Sequence, residues 1–284
     1  MKKLLIILIL LPLLSKAYSQ TYALAIDYTP VLNTYDQFLI FGGTDGSIVK
    51  LDKRGLIGEM EFIAFPGTVF NILEIVDFQD RGLIYYRVKT DDYQYNGNFY
   101  LDSRFVNTYD EKPNSRIVER PNQSDVVKFM KSLIGYPYMW GGNYADGIYT
   151  MLSYYQPKAE IDTKTKNLWI LKGVDCSGLL YQSTAGYTPR NTSSLLNYGE
   201  AVNIEDKSID EIIPLLKPLD LIVIKGHVVI VLDDNTTIES SPDKGVHTNG
   251  LKVRLSKIME DYKPVNEFGK RAWRNKEFVL RRWI

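Results

Sequence analysis

Short apolar runs separated by turn residues dominate residues 20–110 of this 284-residue chain. The separators contain pairs such as Asp45-Gly46, Pro66-Gly67 and Asn96-Gly97. Runs this short and close together read as strands joined by tight turns, and they leave no room for the crossover helices of a parallel sheet. The clearest runs lie at 38–41, 61–65, 69–76 and 83–88. The pattern predicts an all-β domain over 20–110, a small barrel or a meander.

The second half of the chain has a different pattern. Residues 111–115, Glu-Lys-Pro-Asn-Ser, are polar and contain proline, so we assign 111–122 as a linker. A helical pattern starts at Ser124 and Asp125, which are plausible N-caps, and a second helix is predicted from Cys176 to Gly186. Three strand-like runs follow, at 219–224, 228–232 and 236–240. Helices followed by consecutive strands predict an α+β domain with a mostly antiparallel sheet over 123–284.

Residues 1–19 have the layout of a secretory signal peptide. Lys2 and Lys3 precede an apolar run from Leu4 to Leu14, and Ala17 and Ser19 supply the small residues before a cleavage site. The run is too short to span a membrane. Because no cysteine follows it, we expect no lipid anchor there. We therefore expect an exported protein, periplasmic or extracellular, with no membrane contact after signal cleavage.

The charge balance argues against some partners. Cleavage would remove three of the 34 basic residues and leave 31 against 34 acidic ones. A near-neutral chain offers no electrostatic basis for binding nucleic acid. We expect a monomer.

Cys176 is the sole cysteine of the sequence, so an internal disulfide cannot form. A free thiol in an oxidising compartment is either buried or put to use. Residues 175–178, Asp-Cys-Ser-Gly, stand where a loop enters a predicted helix, and a helix N-terminus favours the thiolate. The thiol is therefore a candidate nucleophile, and a small buried core residue is the alternative.

A base and an orienting group follow Cys176 at a useful spacing. His227 opens an apolar strand, and Glu239 lies twelve residues later on the next strand. Adjacent antiparallel strands can place the two side chains together, which completes a nucleophile, base and orienter. Alternatively, His227 is a turn residue and Glu239 a solvated strand-end charge. His247, in a polar stretch that reads as a loop, is the rival base.

Several motifs of residues 123–284 together resemble the NlpC-type cell-wall cysteine endopeptidases. Residues 138–142, Tyr-Met-Trp-Gly-Gly, are similar to the family's Tyr-x-Trp-Gly-Gly strand, and 175–178 are similar to its nucleophile motif. Pro189-Arg190 with Thr192 resembles the segment after the nucleophile helix. Gly226-His227-Val228 resembles the surroundings of the catalytic histidine. The resemblance implies a papain-like catalytic fold.

The resemblance also implies roles for single residues. Cys176 is the implied nucleophile, His227 the base, and Tyr138 an oxyanion donor beside the Cys176 backbone N–H. Glu239 occupies a position where the family more often has His, Asn or Gln, and Leu219 replaces a glycine. Substrate contacts are implied for Asp175, Ser177, Arg190 and Thr192. The segment 143–174 is longer than is usual in the family, and we expect its Tyr and Trp residues to line or cover the cleft.

Residues 45–110 more weakly resemble the bacterial SH3-like domains that often precede this catalytic domain. Relatives with both parts cleave the γ-D-glutamyl bond to the diamino acid in peptidoglycan stem peptides that have a free L-Ala end. There, the Asp before the nucleophile reads the substrate's amino group, so Asp175 is the implied reader here.

The sequence therefore predicts a cysteine peptidase acting on murein stem peptides, without metal or cofactor. Two histidines and one cysteine supply no closed zinc set. Two alternatives remain: a non-catalytic wall-binding protein with a degenerate cleft, and an amidase or acyltransferase on the same scaffold.

Overall fold

The computed structural model describes residues 21–43, 45–269 and 276–284. The predicted signal peptide, 1–19, lies outside the described residues. Helices and antiparallel sheets are combined, as the sequence predicted. The SH3-like assignment, the papain-like assignment and the domain limits stay predictions.

A seven-stranded antiparallel sheet is built from the first part of the chain, with a two-stranded hairpin and a short helix beside it. In chain order the elements are β1 Tyr22–Ala25, β2 Thr29–Leu32, α1 Gln37–Ile40, β3 Phe41–Gly42, β4 Ile48–Val49, β5 Met60–Ala64, β6 Val69–Phe78, β7 Leu83–Lys89, β8 Phe99–Asp102 and β9 Val106–Tyr109. Short 3₁₀ helices cover Gln79–Arg81 and Ser103–Phe105. The large sheet has the order β5-β2-β8-β7-β6-β1-β9, and β3 pairs with β4.

One predicted strand is wrong. Residues 38–41 were expected to be extended, but Gln37–Ile40 form α1, which begins where Asp36 accepts a hydrogen bond from the Leu39 N–H. Gln37 and Ile40 are buried and Leu39 is half exposed, so only part of this apolar run faces the core. A four-residue apolar run does not distinguish a strand from a helical turn.

The second part of the chain surrounds another seven-stranded sheet with helices. Its elements are α2 Gln123–Ser132, β10 Asn143–Tyr144, α3 Met151–Tyr154, α4 Thr163–Trp169, β11 Gly173–Val174, α5 Cys176–Ser183, α6 Thr192–Leu195, β12 Glu200–Ala201, α7 Ile209–Ile212, β13 Leu221–Ile224, β14 His227–Val231, β15 Thr236–Ser241, β16 Gly245–Gly250, α8 Leu251–Met259, β17 Lys263–Pro264 and β18 Glu277–Arg282. A 3₁₀ helix covers Ile213–Leu215. The sheet has the order β12-β18-β13-β14-β15-β16, with β17 parallel to β18, and β10 pairs with β11.

The sheet is buried on both faces, and this explains why its strands are almost wholly apolar. In β14, Val228 and Ile230 pack toward α2 and α5, whereas Val229 and Val231 pack toward α7 and α8. Successive strand residues point to opposite faces, so a strand covered on both sides needs apolar residues throughout. The β14 run places His227 at the end of a rigid strand.

Two element boundaries differ from the sequence prediction. The N-cap of α2 is Asn122, whose side chain accepts a hydrogen bond from the Ser124 N–H at 2.8 Å, so the helix starts before the predicted caps. The α5 helix ends at Ser183, and Gly186 follows with a φ of 80°. Three more residues thus lie in the turn after α5 than predicted.

The long segment 143–174 mainly builds a core between the two parts of the chain. Tyr155, Trp169 and Leu171 are buried against Phe41 and Met60. The Tyr155 hydroxyl donates to Asp102 at 2.7 Å, and the Trp169 indole N–H donates to the Tyr155 carbonyl at 2.8 Å. The expectation that its aromatic residues line or cover the cleft is wrong for these two, because each is fully buried.

Candidate active site

Cys176 is the first residue of α5 and lies at the base of a cavity. Asp175 is the N-cap, and its Oδ1 accepts from the Gly178 N–H at 2.7 Å. The first N–H groups of a helix have no intrahelical acceptor, so they and the helix dipole favour a negative charge at this point. Cys176 is only 6% exposed, yet it lines the cavity. The surroundings suit a thiolate that a bound substrate can reach.

His227 lies between Cys176 and Glu239. Its Nε2 is 2.6 Å from Glu239 Oε2, and the neighbouring Cys176 thiol is one of the groups that raise the pKa of its imidazole. The β14–β15 hairpin positions the pair, since Ile230 is opposite Ile238 and the strands continue toward both side chains. Because Glu239 occupies Nε2, Nδ1 is the nitrogen left for the thiol. The structure therefore brings together the three side chains that the spacing predicted.

The electrostatics of this trio favour a charged imidazole. Burial by itself lowers the pKa of His227, but hydrogen bonds to Cys176 and Glu239 and the charges of both outweigh burial and raise it to about 9. Burial would raise the pKa of Glu239, but His227 and Arg254 together lower it to about 2. Near neutral pH the imidazole is thus protonated beside an ionised carboxylate. The site thus places a positively charged imidazolium next to the Cys176 sulfur.

Two residues that sequence reasoning missed hold Glu239 from behind. Arg254 on α8 donates from Nε to Oε1 at 2.5 Å and from Nη2 to Oε2 at 2.8 Å. Asn249 on β16 donates to Oε1 at 2.8 Å. A buried carboxylate requires such partners. Lys252, Arg254 and Lys257 are all basic residues of α8, and nothing in the sequence distinguishes Arg254 from the other two.

The prediction that His247 lies in a loop is wrong. His247 is in β16, directly opposite Glu239 in the β15–β16 ladder, with its Nε2 3.9 Å from Glu239 Oε1. Its Nδ1 lies 2.9 Å from the Gly245 carbonyl oxygen. Most residues of this strand are polar or glycine, so the sequence shows no alternation of apolar and polar residues that would predict a strand. His247 and His227 lie next to different oxygens of the Glu239 carboxylate, and His227 is the one that interacts with Cys176.

Tyr138 and Trp140 form the wall of the cavity next to Cys176. Burial, together with the charges of Asp175 and Cys176, holds the pKa of Tyr138 well above its usual range, so its hydroxyl stays protonated and able to donate. Close packing behind this wall requires glycine at position 178, because a Cβ on Gly178 would lie 1.9 Å from the Gly142 carbonyl oxygen. Residues 138–142, which resemble a strand of the family, form a loop here, and the nucleophile helix fits against this loop only with glycine at the contact.

Arg190 is buried and joins the nucleophile loop to the Gly142 loop. It donates from Nη1 to Asp175 and Ser177, from Nη2 to Asp175 and Gly142, and from Nε to Asn143, all within 3.2 Å. A guanidinium has five N–H donors, and these contacts use all five. Arg190 is therefore fully engaged by the protein itself. Its predicted substrate contact stays a prediction.

Asp175 is equally occupied. Its Oδ1 accepts from Gly178, Ser177 and Arg190, and its Oδ2 accepts from Gly141 and Arg190. These bonds use the acceptor capacity of the carboxylate. The predicted role of Asp175 as the reader of a substrate amine stays a prediction, without an open acceptor in this structure.

The first part of the chain supplies the opposite wall of the cavity, which has a volume of about 360 Å³. Glu61, on β5, accepts a hydrogen bond from the Asn33 side chain at 2.9 Å. Burial raises the pKa of Glu61, although the hydrogen bond from Asn33 and the charge of Arg190 both act to lower it. Tyr93 and Tyr95 complete this wall, and Ser177 and Thr192 line the side nearer Cys176. Glu61 could not be predicted from the sequence, because its part in the site depends on contact between the two parts of the chain.

In 21–43, 45–269 and 276–284, no three His, Cys, Asp or Glu side chains come close enough to hold a metal ion. Within the same ranges no helix has the length and apolar character to cross a membrane.

Comparison with known proteins gives matches in structure alone. No family model matches the chain, and no curated protein matches it. Three solved structures are similar: an NlpC/P60 family protein from Bacillus cereus (18% identity, 92% of this chain and 63% of that one, TM-score 0.34), NlpC2 from Trichomonas vaginalis (12%, 93% and 72%, 0.30) and an NlpC/P60 endopeptidase from Photobacterium damselae subsp. piscicida (14%, 81% and 45%, 0.27). The chain thus spans less than two thirds of the Bacillus cereus protein. The structural neighbours are NlpC/P60 proteins, and at these TM-scores the reading of the site depends on its own geometry.

Proposed function

We propose that this protein is a cysteine peptidase of the γ-D-glutamyl-L-diamino acid endopeptidase type that cleaves murein stem peptides. The observation that carries the proposal is the Cys176–His227–Glu239 arrangement at a cavity of peptide-binding size. A helix N-terminus, a protonated base and a held carboxylate are the requirements for thiolate chemistry on an acyl group.

The reaction follows from the positions of these groups. The Cys176 thiolate attacks the γ-carbonyl carbon of D-Glu, and the resulting oxyanion accepts hydrogen bonds from the Cys176 N–H and the Tyr138 hydroxyl. His227 then gives its proton to the leaving amine, and a thioester remains on Cys176. Water, deprotonated by His227, hydrolyses that thioester and restores the thiolate. Glu239 holds the imidazole throughout, and no metal or cofactor takes part in this scheme.

The wall formed by the first part of the chain supports selection of a free amino terminus. Two carboxylates line the cavity, Glu61 and Asp175. Asp175 is paired with Arg190 and caps α5, whereas Glu61 is bound by a neutral amide. An ammonium group that enters the cavity therefore meets Glu61 as the more available partner. Such a charge-assisted contact contributes about 1.5–3 kcal/mol, or roughly ten- to a hundred-fold in selectivity.

Mass spectrometry of muropeptides after incubation with the protein tests the activity. We expect cleavage between D-Glu and the diamino acid by the wild type, and none by Cys176→Ala with an unchanged melting temperature. Equal activity of the two proteins would remove the cysteine mechanism. An absence of cleavage by the wild type on every muropeptide would favour a wall-binding protein, and release of a different amide product would favour an amidase.

The free-end preference needs a separate comparison. L-Ala-γ-D-Glu-diamino acid peptides should be cleaved much faster than the same peptides amide-linked to sugar. Glu61→Gln should reduce that preference at least tenfold. Asp175→Asn, predicted from the sequence to do the same, should instead lower the rate on both substrates, because it loosens the nucleophile loop. Equal rates of the wild type on both substrates would indicate that the first domain only tethers the enzyme to the wall.

We propose that the protein is exported, works as a monomer in the periplasm or outside the cell, and has an SH3-like first domain. The supporting observations are the signal-peptide pattern, the near-neutral charge and the antiparallel sheet over β1–β9.

A further inference from the structure

One arginine of the exposed segment between the two parts of the chain is almost buried. Residues 112–122 form neither helix nor strand, and most of them are exposed. The side chain of Arg116, however, is only 12% exposed. Its apolar neighbour Ile117 is 86% exposed, so the segment directs the charged side chain inward and the apolar one outward. Arginine is rarely buried unless it is paired, so the partners of Arg116 indicate what it does.

Arg116 connects a loop of the first part of the chain to the nucleophile helix. Its Nε donates to Asp92 Oδ2 at 2.9 Å, in the loop between β7 and β8. Its Nη1 donates to the Ala185 carbonyl oxygen at 2.9 Å, and its Nη2 donates to the Tyr181 hydroxyl at 3.2 Å. Tyr181 is in α5, which begins with Cys176, and Ala185 is in the turn that follows α5. One guanidinium therefore bridges that loop and the far end of the helix.

The residues around Arg116 leave room for this side chain in one position. A Cβ on Gly67 would lie 3.0 Å from the Arg116 Cβ, and a Cβ on Gly186 would lie 2.4 Å from its Nη2. The Arg116 Cζ lies over the ring of Phe65, 5.5 Å from the ring centre. A planar guanidinium in such a space fixes its acceptors relative to one another, which a flexible ammonium does not. The bridge is therefore rigid.

The loop that Arg116 holds forms part of the wall of the candidate active site. Tyr93 directly follows Asp92, and Tyr93 and Tyr95 both line that cavity. Tyr93 also lines a second cavity, of about 350 Å³, together with Arg116. Because there is open space on this side of the loop, packing alone does not hold it against the second part of the chain. The Asp92–Arg116 pair supplies that contact.

A second ion pair joins the same loop to the same segment, but it is exposed. Lys112 lies 3.8 Å from Asp91, and the two side chains are 56% and 94% exposed. Exposed pairs of this kind contribute little. The Asp92 side chain is mostly buried and also accepts a hydrogen bond from the Thr68 hydroxyl at 3.0 Å. Of these two ion pairs, the one with Arg116 is therefore the pair that can set the position of the loop.

We propose that Arg116 is a positioning residue for substrate specificity, because it fixes the Tyr93 wall of the cavity relative to the nucleophile helix. This inference rests on the proposed function, in which the amino end of the peptide lies against Glu61 in the same wall. With the bridge in place, the wall closes beyond that amino end and leaves no room for an attached sugar. Without the bridge, the free peptide is held less tightly and a sugar-linked peptide enters more easily. Arg116 touches no reacting atom, so the chemical step itself should be little affected.

Arg116→Met keeps an unbranched apolar side chain and removes every donor. For L-Ala-γ-D-Glu-diamino acid peptides, we expect KM to rise about tenfold with little change in kcat. The preference for these peptides over sugar-linked ones should fall about tenfold as well. Lys112→Met, the matched control, should behave as the wild type. An unchanged preference in Arg116→Met, even with a lower melting temperature, would make Arg116 a structural residue only and overturn the inference.

Conservative variants keep the test decisive if Arg116→Met does not fold. Arg116→Lys keeps a charge for Asp92 but cannot reach both acceptors at the end of α5, so its preference should lie between wild type and Arg116→Met. Tyr181→Phe and Asp92→Asn each remove one partner and keep the shape of the side chain, and each should lower the preference. Asp92→Asn should add little to Arg116→Met, because both break the same ion pair. Additive effects of these two changes would contradict the bridge.

The width of the cavity can also be measured without cleavage, because Cys176 is the sole cysteine. N-ethylmaleimide and fluorescein maleimide react with the same thiol but differ in size, so the ratio of their rates reports how open the cavity is. The ratio of the bulky to the small reagent should rise severalfold in Arg116→Met and stay unchanged in Lys112→Met. An unchanged ratio in Arg116→Met would overturn the inference even if muropeptides are cleaved. A raised ratio in a protein that cleaves no muropeptide would refute the peptidase proposal and leave Arg116 as the residue that sets the width of the cavity.

Discussion

Glu239 is bound by His227 on one side and by Arg254 on the other. A carboxylate holds an imidazolium more strongly than an amide would, because it adds a full negative charge to the hydrogen bond. Arg254 offsets part of that charge and fixes both oxygens, so the orienter stays in place. Glu239 differs from the residues usual at this position in the family that the sequence resembles. It can still orient His227, because Arg254 of α8 holds its carboxylate in place.

The pH dependence of the reaction should follow His227. Its folded pKa of about 9 lies above the ordinary value, so the imidazolium persists at neutral pH and is lost as the pH rises through about 9. We expect kcat/KM to decline above that pH. Glu239→Gln should move the decline to lower pH, because the imidazolium loses its negative partner, while His247→Ala should leave it in place. A stopped-flow pH profile measures both, and an unmoved basic limb in Glu239→Gln would contradict the assigned partner.

The same pKa shift affects stability. The stabilising contribution of protonated His227 is complete below about pH 6.5, the ordinary value, and disappears as the pH rises through about 9. Ionised Glu239 also stabilises the fold, but its contribution has the opposite pH dependence. It is complete above about pH 4.5 and disappears as the pH falls through about 2. Between these two windows the pair stabilises the fold at full strength.

The nucleophile helix is the element whose position matters most. Its first turn lies against the Gly142 loop, and Arg190 ties the two together. No side chain fits between them at Gly178. The four-residue motif 175–178 therefore serves packing as well as chemistry, with Asp175 as cap and Gly178 as the contact.

Gly178→Ala should lower both stability and activity. A Cβ would lie 1.9 Å from the Gly142 carbonyl oxygen, so α5 must move away from the loop. We expect destabilisation of about 1–3 kcal/mol, as in other overpacked sites. A shift of the nucleophile by even 1 Å costs on the order of a hundred-fold in kcat. Urea titration and kinetics should show both effects, whereas Gly269→Ala, in open space, should show neither. Wild-type kcat in Gly178→Ala would mean that the contact is dispensable.

At the scale of the whole molecule, the first part of the chain and the segment 139–171 of the second part share a core. Met139, Met151 and Trp169 from the second part pack with Phe41 and Met60 from the first. The Asn143 side chain adds hydrogen bonds to both the N–H and the carbonyl of Ile63 on β5. The cavity at Cys176 depends on this arrangement, because Glu61 and Tyr93 reach it from the first part.

Thermal unfolding should therefore be a single cooperative transition across both parts. Met151 is fully buried, so Met151→Ala should lower the free energy of unfolding by about 2–5 kcal/mol and the midpoint of the whole transition with it. Val253 is exposed, so Val253→Ala should change neither. Calorimetry compared with the van't Hoff enthalpy measures cooperativity. Two resolved peaks, or a Met151→Ala shift confined to one of them, would mean that the two parts unfold independently.

The features that could be predicted from the sequence are local. Asp175 caps a helix that begins with Cys176, and a hairpin of short strands brings His227 to Glu239, because a helix cap and an antiparallel turn depend on neighbours in the chain. The strand that contains His247 was not predicted, because a polar edge strand shows no alternation of apolar and polar residues. The four residues 37–40 were too short to be assigned from pattern.

The distant residues that complete the site could be identified from the folded structure alone. Arg254 and Glu61 reach it from separate elements, and many equivalent charged residues could have done so. Asp175 and Arg190 bind each other, because a buried carboxylate and a buried guanidinium both need partners, and their predicted substrate contacts stay predictions. Local interactions place the nucleophile, base and orienter, whereas the shape and charge of the cavities arise from contacts between segments far apart in the chain.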